Sequence, residues 1–195
     1  MIDYAKIAAA VEFYRKLGYQ PIEAPWTISR QAWGITSPTG ATAYEVDGKF
    51  LVASGEQSFL QLILDGELLP GMYQCVTPCF RDEKQHTDLT RPYFLKVELI
   101  KTYNTASWEI MMEHCLEFFK QYVPCSIVKT QQDRTDPLSI SETFDIQTDD
   151  DTYIPGVELG SYGLREHKSV GEWAYATGCA EPRLSQAIKS FQENK

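Results

Sequence analysis

Apolar residues in the first stretch of the chain recur at helical spacing. Ile7, Val11 and Tyr14 line one face, Asp3 can cap the start, and Gly18 stops the run. Pro21, Pro25, Pro38 and Gly40 then break any period, which predicts a loop-rich stretch. Short β segments over 43–46 and 50–54 and a helix over 57–69 follow. Residues 73–81 and 92–101 read as the two strands of a hairpin, joined by the polar loop 82–91. The clearest helix covers 105–122. Trp108, Met111, Met112, Cys115, Leu116, Phe119 and Tyr122 keep its period toward a core, while Glu109, Glu113 and Glu117 fall on the wet side. Further strands are predicted over 127–130, 143–148 and 153–159. A last helix begins near Pro182 and packs through Leu184, Ile188 and Phe191. Helices and strands do not alternate as strict βαβ units, which predicts an α+β fold. No Gly-rich Walker or Rossmann loop is present.

The bulk numbers narrow the class. The 195 residues fit one domain over 1–195, and 43% hydrophobic with 23% charged residues is a globular balance. No apolar run approaches the ~18 residues of a membrane helix, and no basic, apolar leader opens the chain. The five scattered cysteines suit reduced thiols in a cytoplasmic protein better than a disulfide framework. A net charge of −9 disfavours non-specific nucleic-acid binding.

Two segments can carry chemistry. In the predicted hairpin, strand alternation puts Arg81 and Glu83 on one face, and Phe94, Lys96 and Glu98 on one face of the partner strand. If those faces coincide, Arg81 offers a planar fork for phosphate or carboxylate oxygens, Phe94 can stack on a base, and Glu83 can accept from an exocyclic amine. On pattern alone, ordinary surface ion pairs explain the same residues. The second segment, Gly178-Cys179-Ala180-Glu181-Pro182-Arg183, runs small residues into a helix start with Pro182 at the first helical position. It fits either an anion site completed by Arg183 or a plain cap.

Both segments resemble signature motifs of class II aminoacyl-tRNA synthetases. Cys79-Phe80-Arg81-Asp82-Glu83, then Arg91, then Phe94-Leu95-Lys96-Val97-Glu98 looks like motif 2, and Thr77-Pro78-Cys79-Phe80-Arg81 is close to its seryl branch. The run from Ala176 to Arg183 resembles motif 3. Leu17-Gly18-Tyr19-Gln20-Pro21-Ile22-Glu23-Ala24-Pro25 resembles motif 1, the family's dimer interface. Ser54-Gly55-Glu56 stands where class IIa enzymes carry Thr-x-Glu. Phe144-Asp145-Ile146-Gln147 and Glu158-Leu159-Gly160-Ser161 resemble two further seryl-type strands.

The resemblance implies an antiparallel sheet of six or seven strands flanked by helices. It also implies ATP and Mg²⁺ as cofactors and an amino acid as substrate, activated as an aminoacyl-adenylate. Arg81 would touch the α-phosphate and the substrate carboxylate. Glu83 would read the adenine amine, with Phe94 stacked on adenine and Arg91 near the phosphates. Arg183 would hold the γ-phosphate or cover adenine. Glu158, helped by Ser161, would ligate magnesium, and Ser54, Glu56 and Glu98 would bind the amino acid. The partners implied are a second copy through the motif 1 region, with Pro25, Trp26 and Ile28 at or near the two-fold axis, and an acceptor that is a carrier protein, a small molecule or a tRNA. A non-catalytic relative that senses nucleotide or amino acid is the competing class.

The sequence departs from the family at several places. Thr90 replaces the usual base four positions before Phe94, Gln147 replaces a Glu, and Tyr175-Ala176 replaces an Asn-Gly next to the substrate side chain. No room is left for an appended tRNA-gripping domain, so poor tRNA charging is expected. Cys79, Glu98 and Cys179 would have to converge from separate strands to hold zinc. Arg165, shortly after Ser161, is placed to bind substrate or to pair with Glu166.

Overall fold

The computed structural model describes residues 1–38, 40–82, 87, 89, 91–130, 136–149 and 156–193. Helix α1 (Tyr4–Lys16) leads into β1 (Gln20–Pro21). A small lobe follows, built from β2 (Thr27–Ile28), α2 (Arg30–Thr36), β3 (Glu45–Val46) and β4 (Lys49–Leu51). Helix α3 (Gly55–Leu64) returns the chain to β5 (Met72–Phe80) and β6 (Tyr93–Lys101). A 3₁₀ turn (Thr105–Ser107), α4 (Glu109–Lys120), β7 (Cys125–Lys129), β8 (Phe144–Thr148), β9 (Glu158–His167), β10 (Gly171–Glu181) and α5 (Arg183–Glu193) complete the order.

The main sheet has seven strands in the order β1-β5-β6-β10-β9-β8-β7. Every neighbouring pair is antiparallel except β1 with β5. This is the α+β, mainly antiparallel architecture that the motifs imply.

Strand alternation divides the sheet into two faces. Val97, Leu99, Ala174, Ala176 and Cys179 join a core closed by Ile7 and Tyr14 of α1, Met111, Cys115 and Phe119 of α4, and Leu184 of α5. The opposite face carries Tyr73, Cys75, Ile100, Trp173 and Tyr175 and packs against Phe59 and Leu60 of α3. Gly55 lets the start of α3 touch the sheet, because a Cβ there would stand 2.8 Å from Glu98 Cβ and 2.9 Å from Thr77 Oγ1.

Several elements differ from the sequence reading; the helix expected over 57–69, for one, is α3 and ends at Leu64. Residues 30–36 form α2 inside the stretch read as loop, with the Ser29 hydroxyl accepting from Ala32 N–H at 3.2 Å. Helix α5 begins at Arg183, next to the expected start at Pro182, while the segment from Gly178 to Glu181 that leads into it is the end of a long strand. Nearly all of β10 is buried on both faces, so its residues show no period-two signal. The strand expected over 153–159 begins at Glu158 in β9, and residues 153–155 lie outside the described residues.

Ile28, expected near a two-fold interface, is instead buried beside Ala32, Phe50 and Val52. Trp26 is the exposed neighbour, at 58%.

Candidate functional site

The hairpin β5–β6 pairs Cys75 with Glu98, Thr77 with Lys96 and Cys79 with Phe94. Phe94, Lys96 and Glu98 of β6 therefore share one face with Cys75, Thr77 and Cys79 of β5. Arg81 lies just past the end of β5, where its N–H donates to Pro92 O at 2.9 Å. Its guanidinium carbon stands 5.0 Å from the centre of the Phe94 ring, and its Nε donates to Ala53 O at 3.2 Å. A small depression joins Arg81, Arg91, Phe94 and Arg183. Arg81 thus packs over an aromatic ring, and Arg91 and Arg183 line the same depression. Glu83 lies outside the described residues, as does Thr90.

Beside this depression opens a cavity of about 440 Å³. Ser54, Glu56, Lys96, Ser161, Arg165 and Tyr175 contribute to its wall, and Arg81 stands at its shared boundary with the depression. Trp33 and Thr36 of α2 close it from the small lobe.

Buried charges in its wall are paired, as buried charges must be. Lys96 Nζ lies 2.6 Å from Glu98 Oε2, and the Ser54 hydroxyl donates to the same oxygen at 2.6 Å. The second Glu98 oxygen is buried with no hydrogen-bond partner. Glu56, in the first turn of α3, accepts from Arg165 Nη1 at 2.5 Å and from the Trp173 indole N–H at 2.7 Å. Arg165 Nε also donates to Asp136 Oδ2 at 2.6 Å. Its guanidinium lies 3.9 Å from the Tyr175 ring centre. Burial disfavours the Arg165 charge, but Glu56 above all, with Tyr175 and Asp136, outweighs burial and holds its pKa above the ordinary value. Burial also pushes the Tyr175 phenol up, so it stays protonated.

Arg165 does not pair with Glu166, because neighbouring strand residues face opposite ways. Asp136 and Trp173 escaped the sequence reading. Glu56 and Trp173 are 117 positions apart, and nothing local links them.

Glu158 opens β9, and Arg183 Nη1 donates to its carboxylate at 3.3 Å. Across the β8–β9 pairing, Glu158 stands opposite Gln147. Magnesium is usually held by one or two carboxylates together with substrate phosphates. Glu158 offers one carboxylate, and Gln147 offers an amide. This donor set fits magnesium shared with bound phosphates. Among the described residues no group of three or more His, Cys, Asp or Glu side chains is arranged to hold a metal ion. Zinc on Cys79, Glu98 and Cys179 is ruled out by the register. A shift between Thr177 and Cys179 places Cys179 opposite Val97, on the helix-covered face away from Glu98. All five cysteines are free and buried.

Solved structures share this arrangement of strands and helices. A cytoplasmic serine-tRNA ligase from Naegleria fowleri in complex with AMP superposes with a TM-score of 0.76 at 19% identity, over 95% of this chain and 47% of that one. Seryl-tRNA synthetase from Pyrococcus horikoshii complexed with ATP gives 0.73 at 20%, over 95% and 49%. The pyrrolysyl-tRNA synthetase PylSc from Desulfitobacterium hafniense gives 0.69 at 16%, over 97% and 69%. The fold is that of a class II aminoacyl-tRNA synthetase catalytic domain. The chain spans about half the length of the two seryl enzymes. No family model matches its sequence, and no curated protein matches it. The segments that resemble motif 2 and motif 3 meet at the depression lined by Arg81, Phe94 and Arg183. No helix among the described residues is long and apolar enough to cross a membrane.

Proposed function

We propose that this chain binds ATP and an amino acid and joins them as an aminoacyl-adenylate, releasing pyrophosphate. The observation that carries the reading is Arg81 packed over Phe94, with Arg91 and Arg183 around the same depression and the cavity adjoining it. Adenine stacks on Phe94 in this reading, with Glu83 reading its amine. Arg81 bridges the α-phosphate and the amino-acid carboxylate, and Arg183 meets the terminal phosphates. Attack by the carboxylate oxygen on the α-phosphorus needs positioning and charge neutralisation and no protein nucleophile. Magnesium at Glu158 would add to that neutralisation. The two seryl enzymes of like fold were solved with AMP and with ATP, which supports the nucleotide half of the reading. The activated amino acid then passes to a carrier protein, a small molecule or a tRNA.

A second reading is a non-catalytic relative that binds nucleotide or amino acid as a sensor. One observation favours it: Glu56 and Glu158, the carboxylates assigned to substrate and magnesium, are both already paired with arginines. Pyrophosphate exchange with each of the twenty amino acids separates the two. Exchange with any of them supports activation, and ATP binding without exchange supports the sensor.

A further inference from the structure

Arg165 is built into the cavity wall in an unusual electrical setting. Its Nε and Nη1 are committed to Asp136 and Glu56, which leaves further N–H donors on a guanidinium that lines the cavity. One positive charge lies between two carboxylates, so the cluster as a whole carries a negative charge. What it offers a ligand is hydrogen-bond donors without positive potential. A carboxylate arriving there meets repulsion from Glu56 and Asp136, whereas an uncharged carbonyl oxygen takes the same N–H groups with none. The Trp173 N–H, the other donor at Glu56, is already used.

Geometry adds a shared space. Arg81 and Arg165 line the same cavity, the first bonded to Ala53 O and the second to Glu56. In the activation reading, a molecule whose α-carboxylate sits at Arg81 directs its side chain into the cavity that Arg165 lines.

We infer that Arg165 selects an amino acid whose side chain ends in an uncharged carboxamide, and rejects its carboxylate counterpart. The carboxamide oxygen accepts from the spare Arg165 donors, and its NH₂ donates to the remaining lone pairs of Glu56. Glu56 on this view orients Arg165 and the amide and does not receive the substrate ammonium. The inference rests on the activation reading for the placement of the α-carboxylate.

The test compares asparagine with aspartate and glutamine with glutamate, because each pair differs only at the end of the side chain. Pyrophosphate exchange should favour at least one amide over its acid by on the order of 100-fold. Exchange that favours the acids, or treats each pair alike, overturns the inference while upholding activation. If no amino acid supports exchange, activation itself fails, and the same four compounds are compared by thermal shift. A shift with an amide and not with its acid supports the inference, and no shift with any of the four overturns it. Asp136→Asn is the decisive variant, since it removes one negative charge; with its amide oxygen on Arg165 Nε it gives up the bond from Leu138 N–H that the other carboxylate oxygen now accepts. It should narrow the amide-to-acid preference by roughly tenfold, whereas an unchanged preference in a folded variant overturns the electrostatic argument. Arg165→Met should abolish the preference, with circular dichroism confirming that the variant folds.

Discussion

Lys96 Nζ lies 2.6 Å from Glu98 Oε2, and both side chains are buried in the sheet face beneath the cavity. Removing one charge strands the other. Lys96→Met should therefore cost about 3–5 kcal/mol, and the double variant Lys96→Met/Glu98→Leu should recover most of it. Urea denaturation of the two variants checks this. A single variant as stable as the parent would show that the pair is solvated.

Arg81 and Arg183 should both matter to nucleotide binding. Arg81→Ala and Arg183→Ala are each expected to weaken ATP binding by on the order of 2–3 kcal/mol, the loss of a charge-assisted contact. Isothermal calorimetry measures it directly. Unchanged affinity in both would remove the assignment of the depression around Phe94 as the nucleotide site.

Burial lowers the pKa of His114 below its ordinary 6.5, against the smaller opposing pull of Glu117 and Glu113. Its Nδ1 lies 3.0 Å from the Tyr19 hydroxyl. The folded protein thus binds fewer protons at this site than the unfolded chain. The sign follows: the contribution is fully present above the ordinary imidazole value and is lost as the pH falls through the lowered folded value. Urea midpoints at pH 7.5 and pH 5.5 should drop more for the parent than for His114→Gln. Equal drops would place the acid sensitivity elsewhere.

We propose that the segment after β1 joins two copies of the chain. Trp26 is 58% exposed beside Pro25, whereas Ile28 belongs to the chain's own core. Light scattering at micromolar concentration should give twice the chain mass, and Trp26→Glu should give the monomer. A monomeric parent protein decides against the interface.

Charging of tRNA by this chain alone is expected to be poor. Tight binding of a polyanion draws on clustered Lys and Arg through counterion release, and here 18 basic residues are outnumbered by 27 acidic ones. A filter assay with total tRNA, ATP and labelled amino acids at low salt checks it. Efficient charging would make the chain a minimal synthetase.

The sequence alone determined the elements whose signal is local. The stripe from Trp108 to Phe119 needs only helical spacing to declare α4, and Met111, Cys115 and Phe119 are indeed core residues. The hairpin carrying Arg81, Phe94 and Glu98 was legible because alternation fixes which residues share a face, and the register bears that out. The ordered motifs pointed to the fold. Helix α2 was hidden by the turn-forming residues around it, and β10 by its burial on both faces.

Tertiary structure alone decided which partner each buried charge in the site has. Glu56 read as a ligand for the amino acid, and only the fold shows that its carboxylate also accepts from Arg165 of β9 and Trp173 of β10. Zinc would need Cys179 beside Glu98, and a register shift of β10 turns Cys179 to the far face. A buried ion must find its partners wherever the packed chain brings them, because leaving it bare costs more than folding can supply. Those partners lie many tens of residues away, on strands brought side by side only by the sheet.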